Sequence, residues 1–96
     1  MILEVAQVNI LPGHSADFEH DLPIAVDSVL TQAKGFIRFK GHGWCVERPN
    51  TYMFSIEWET LEDHTVGFRR SDLFAEWRLQ IGHHFESAPH VEHYAQ

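Results

Sequence analysis

The stretch from Ile2 to Leu11 constrains this chain more than any other. Hydrophobic side chains occupy both of its alternating sets: Ile2, Ala6, Val8 and Ile10 on one side, Leu3, Val5 and Leu11 on the other. Successive residues of a strand point to opposite faces, so a strand apolar on both needs cover on both. With 96 residues the chain is read as one domain, 1–96. So small a domain has little material for a second covering layer. The expected cover is another copy, sheet against sheet, in a homodimer.

The hydrophobic period then changes along the chain. Pro12-Gly13 ends the first strand. Ser15 is a plausible helix cap, with Asp17 and Glu19 in the first turn. Phe18, Leu22, Ala25, Val26, Val29, Leu30 and Ala33 form one helical stripe, which Pro23 should kink and Lys34-Gly35 should end. Phe36 to Val46 reads as a second strand, with Arg38, Lys40 and His42 sharing a face and Gly41 and Gly43 permitting a bulge. Those three cations suit a solvent-facing or intersubunit ion-pair ladder, or an anion site. Arg48 to Thr51 is a turn. Tyr52 to Glu59 alternates strictly, with Tyr52, Phe54, Ile56 and Trp58 on the apolar side. Thr60 with Asp63 resembles a capping box for a short helix through Phe68. Ser71 caps another helix, with Phe74, Trp77, Arg78 and Ile81 on one face and Gly82 at its end. His84 to Tyr94 is a last strand, interrupted by Pro89. The order β-α-β-β-α-α-β is the α+β, ferredoxin-like pattern: a four-stranded antiparallel sheet with helices on one face.

Composition excludes several function classes. The net charge is −7, so the basic footprint of a nucleic-acid or anionic-membrane partner is missing. The single cysteine, Cys45, rules out an internal disulfide and is expected to be a small buried hydrophobe. No run approaches the roughly 20 apolar residues of a membrane span, and Met1-Ile2-Leu3-Glu4 lacks the basic start of a signal peptide, so a cytoplasmic protein is expected. Full protonation of the eight histidines would bring the net charge close to zero, so solubility should fall in mild acid.

From Trp58 onward the sequence resembles the antibiotic biosynthesis monooxygenase family. The run Trp58 to Arg69, then Ser71, Phe74 and Trp77-Arg78, and the closing Pro89-His90-Val91-Glu92-His93-Tyr94 carry the resemblance, which extends over nearly the whole chain. It implies a homodimer built as a dimeric α/β barrel, with a pocket between sheet and helices in each subunit. Enzymes of that family include cofactor-independent monooxygenases of polycyclic phenols, quinol oxygenases and heme-degrading relatives. The heme-degrading branch pairs an asparagine, a tryptophan and a histidine; Trp58 matches the tryptophan, but Ala6 and Arg78 stand at the other two positions. The resemblance therefore implies no heme.

Cofactor-free oxygenation needs a base, a group that steadies an anion, and a dry pocket for flat rings. His64 is the candidate base, or an ordinary histidine at a helix start. Trp58 can donate its indole N–H into a pocket or seal the core. Arg78 can steady a phenolate or pair with a carboxylate. Phe54, Phe68, Phe74 and Trp77 are candidate substrate contacts or plain core. No metal site is expected: His90 and His93, three apart on a strand, face opposite ways, and the adjacent His83 and His84 diverge. Three readings follow. One is a cofactor-independent monooxygenase acting on a small aromatic phenol or quinol; one is a non-catalytic dimeric protein binding a small hydrophobic ligand; one is a purely structural dimer or a partner for another protein.

Overall fold

A computed structural model describes residues 1–96. In chain order it contains β1 (Ile2–Asn9), α1 (Ser15–Ser28), β2 (Phe36–Trp44), β3 (Thr51–Trp58), a π-helical turn (Asp63–Phe68), α2 (Asp72–Ile81) and β4 (His90–Ala95). Short 3-10 turns at Leu30–Gln32 and Gly82–His84 follow the two helices. The strands form one antiparallel sheet in the order β2-β3-β1-β4. This is the ferredoxin-like arrangement expected from the pattern of periods.

The even residues of β1 turn inward. Ala6, Val8 and Ile10 are buried, and so is Glu4 among them. Beside them on β3 lie Tyr52, Phe54, Ile56 and Trp58, also buried. The stripe Phe18, Leu22, Ala25, Val26, Val29, Leu30 and Ala33 packs on this face, together with Phe68, Trp77 and Ile81. Helix α1 runs through Pro23, which is exposed, and stops at Ser28; the 3-10 turn carries the stripe onward to Leu30. Gly35 closes the segment with φ +82, a conformation that glycine adopts without a Cβ penalty.

Several local expectations change on folding. Ser15 begins α1 but donates to Asn50 Oδ1 (3.0 Å) rather than capping it. Ser71 precedes α2 yet donates to the Phe68 carbonyl (2.7 Å). The Thr60 cap does form, accepting the Asp63 N–H at 3.1 Å. Strand β2 has register shifts between Phe36 and Arg38 and between Phe39 and Gly41, where Gly41 has φ +119. These bulges break the expected Arg38–Lys40–His42 ladder. Arg38 comes opposite Glu57 and His42 opposite Phe54, and those two residues of β3 face opposite sides of the sheet. Cys45 is half-buried just beyond β2, not a core residue. The last strand begins only at His90, because His84 belongs to the 3-10 turn and Phe85 makes a single bridge to Ile10.

The other sheet face carries Leu3, Val5 and Gln7, half-buried, with Met53 and Tyr94 about half exposed. Glu57 on this face is buried and ion-paired to Arg38. No element of the single chain packs over this face, which is the face that the two-sided apolarity of β1 marks. No helix is long and apolar enough to cross a membrane.

Candidate functional site

The chemistry of the site begins with an anomaly in β1. Glu4 occupies an inward position in a run whose other inward residues are apolar, and it is 6% exposed. A buried carboxylate is costly unless it is neutral or well paired. Here β3 supplies a donor: Trp58 Nε1–H donates to Glu4 Oε1 at 2.9 Å. The π-helical turn supplies a second neighbour, His64 Nε2, 3.3 Å from the same oxygen. Opposite Glu4 on the other flank of β1 stands His93 of β4. His93 Nε2 lies 2.8 Å from His64 Nδ1.

The wide turn is what brings His64 in. Arg69 N–H bonds to the His64 carbonyl (3.2 Å), five residues back, so one loop of chain is broader than an α-helical turn. It puts both His64 and Phe68 inside. The His64 ring stacks on Trp58, with centroids 5.1 Å apart and planes 19° apart. Trp58 is fully buried, and Phe36 and Phe68 pack against its ring.

These contacts set the protonation states. Burial pushes the Glu4 carboxyl from its ordinary 4.5 up to about 7, although the Trp58 hydrogen bond and the Arg69 charge both pull it down. Burial also lowers His64 to about 3, helped by the Arg69 and His93 charges. His93 is lowered for the same reasons, burial first and Arg69 second. At neutral pH His64 is therefore a neutral ring, and the His64–Glu4 contact is not an ion pair. One assignment satisfies all three groups: His93 Nε2–H donates to His64 Nδ1, and His64 Nε2–H points at Glu4 Oε1.

Beside this group is a cavity of about 280 Å³. Glu4, His64 and Arg69 are its only ionisable lining residues; the rest of its wall includes Phe54, Phe68, Phe74, Trp77, Phe85 and Val91. Glu4 Oε2 makes no hydrogen bond, yet no fully buried polar side-chain atom is left unpaired, so this oxygen is open to the cavity.

The structure thus brings together most of the residues singled out in the sequence. His64, Phe54, Phe68, Phe74 and Trp77 line one cavity. Trp58 stands behind Glu4 and acts on the cavity through it. Arg78 is exposed on the outer side of α2, 5.9 Å from the Phe74 ring centre, and borders a separate, more open groove. Arg69 takes the cation's place at the cavity. The sequence pattern gave Glu4 and Arg69 no role, and it raised His93 only as a metal ligand beside His90. Glu4 left a signal, a lone carboxylate at an inward parity of β1; Arg69 and His93 left none, since only the fold brings them near it. His90 and His93 do fall on opposite faces, pairing with Gln7 and Glu4 respectively. His83 and His84, expected to diverge, instead come together in the 3-10 turn, with ring centroids 3.9 Å apart.

Fold and site together place this chain in a class: it belongs to the antibiotic biosynthesis monooxygenase family, whose sequence profile matches residues 1–79. Among its relatives is the uncharacterized Bacillus subtilis protein YczJ, 35% identical over 94 residues, which span 98% of this chain and 97% of YczJ. A solved structure of a family member from Bordetella bronchiseptica is 34% identical and superposes with a TM-score of 0.91, covering 99% of this chain and 95% of that one. A second, from Nitrosomonas europaea, shares the fold at 10% identity, with a TM-score of 0.77 over 99% of this chain and 88% of that one.

Proposed function

We propose that this protein is a cofactor-independent monooxygenase that oxidises a small aromatic phenol or quinol with O₂. The observation that carries the reading is a carboxyl group with a pKa of about 7 lining a mostly apolar cavity rich in aromatic side chains. A general base works best with its pKa near the working pH. His64, the base suggested by the sequence, is too weak at about 3, so Glu4 takes that role and His64 positions it. The cavity lies at the small end of ligand pockets, which run roughly 300–1,000 Å³. It suits one or two rings.

In the proposed reaction Glu4 Oε2 accepts the phenolic proton, and Arg69 at the rim steadies the phenolate. The electron-rich anion reduces O₂ at the ring carbon para to the oxygen. One oxygen atom becomes the new carbonyl of a quinone. The other leaves as water with the phenolic proton and the displaced ring hydrogen. Overall, one phenol and one O₂ give one quinone and one water.

The working unit in this proposal is a homodimer joined through the uncovered sheet face; proteins of this family are typically dimeric. The test is oxygen uptake by chelator-treated protein with 1-naphthol. Stoichiometric quinone formation, with a rate that rises through about pH 7 and then levels, is expected. A ligand that raises the melting temperature without any oxygen uptake would instead show a binding protein.

A further inference from the structure

A second group of ionisable side chains lies away from the Glu4 cavity, where α1 meets the turn that follows α2. We propose that Asp21, His83 and His84 bind a divalent first-row transition ion, with Zn²⁺ as the reference ion. One ligand atom from each of the three lies within 4.8 Å of the others. Ligands on a tetrahedral ion are about 3.3–3.6 Å apart, given bonds of about 2.0–2.2 Å. Reaching that spacing needs the Asp21–His84 contact to open by somewhat less than about 1 Å and His83 to swing inward, and both Asp21, which is partly exposed, and His83, which is exposed, have room to rotate.

The surroundings are those of a ligand set. His84 is 2% exposed; its Nε2–H donates to Asp21 Oδ2 at 2.7 Å and its Nδ1 lies 3.1 Å from His14 Nδ1, so an ion bound at Nε2 would replace the proton shared with Asp21 and leave His14 to accept from Nδ1–H. His83 Nδ1 lies 3.1 Å from the Leu79 carbonyl, which can only accept. It therefore holds the proton on Nδ1 and leaves Nε2 with its lone pair. Metal-binding imidazoles are held this way, with the second nitrogen committed to a partner that sets tautomer and orientation. Two imidazoles and one carboxylate favour zinc and its neighbours over calcium or magnesium, which prefer oxygen. Three protein ligands leave a position for water. Because Asp21 comes from α1 and the histidines from the turn after α2, the ion would tie the two helices together.

The experiment is a titration of chelator-treated protein with Zn²⁺ alone, followed by calorimetry and by thermal unfolding. We expect one saturable ion per chain and a higher melting temperature, with no such shift from Ca²⁺. His84 is too buried for a clean substitution, so the test uses His83→Ala and Asp21→Asn. Each should weaken Zn²⁺ at least about ten-fold, because loss of even an outer partner has an effect of about 10–100-fold. His90→Ala, on exposed strand surface, should leave the affinity unchanged. No saturable Zn²⁺ binding by the wild-type chain, or undiminished affinity in both variants, would overturn the proposal.

Discussion

Replacing Glu4 with Gln separates the reading of the site from a purely structural one. Gln keeps the volume and still accepts the Trp58 N–H that now reaches Glu4 Oε1 at 2.9 Å. What it loses is the ability to ionise. The native carboxyl is pushed from 4.5 to about 7 by burial. Each factor of ten in proton affinity corresponds to 1.36 kcal/mol, so the ionised form strains the folded state by about 3 kcal/mol. The sign follows from linkage. Between pH 4.5 and about 7 the folded chain holds a proton on Glu4 that the unfolded chain has released, so this group's contribution falls as pH rises, then stays flat above 7. The Gln variant escapes that loss. It should match the wild type near pH 4 and be about 3 kcal/mol more stable at pH 8.5. For a domain of this size that is a rise of more than about 10 °C in melting temperature. The same substitution should lower oxygenase turnover about 10²–10⁴-fold, the usual effect of losing a positioned base. Melting curves across pH at fixed protein concentration, with oxygen uptake on the same samples, decide the matter. A Gln variant whose advantage does not grow with pH would refute the buried-carboxylate argument; one that keeps full turnover would remove Glu4 from the chemistry.

Four further outcomes are expected. Trp58→Ala should cost about 3–5 kcal/mol in denaturant titration, as a fully buried large ring. Trp58→Phe should stay folded but move the midpoint of the pH–rate profile upward by about one unit or more, since it deletes a hydrogen bond to a charged group. Arg69→Gln should shift that midpoint upward as well, because Arg69 favours the ionised Glu4, whereas Arg78→Gln should leave it in place. Sedimentation at micromolar concentration should give twice the chain mass, and Val5→Glu on the uncovered sheet face should return a folded monomer.

Much of the fold was legible along the chain because it rests on short-range geometry. Alternation over Tyr52 to Trp58 and the helical stripe from Phe18 to Leu30 each express a local period, and burying them on one face yields the observed sheet and helices. The aromatic wall of the cavity came with that pattern, since Phe54, Phe68, Phe74 and Trp77 were already on inward faces. Only the tertiary structure decided which polar groups meet. Glu4 and His93 face each other through the pairing of β1 with β4, and His64 joins them through a π-helical turn that no local period announces. The bulges of β2 broke up a ladder of cations that simple alternation had put together. Arg69 rather than Arg78 reaches the cavity because the chain leaves the wide turn there before α2 begins. Likewise, His83 and His84 converge on Asp21 only because the chain tightens into a 3-10 turn beside α1. Periodicity specifies the face on which a residue lies. Register, bulges and turn width specify what it finds there, and those depend on contacts between segments far apart in sequence.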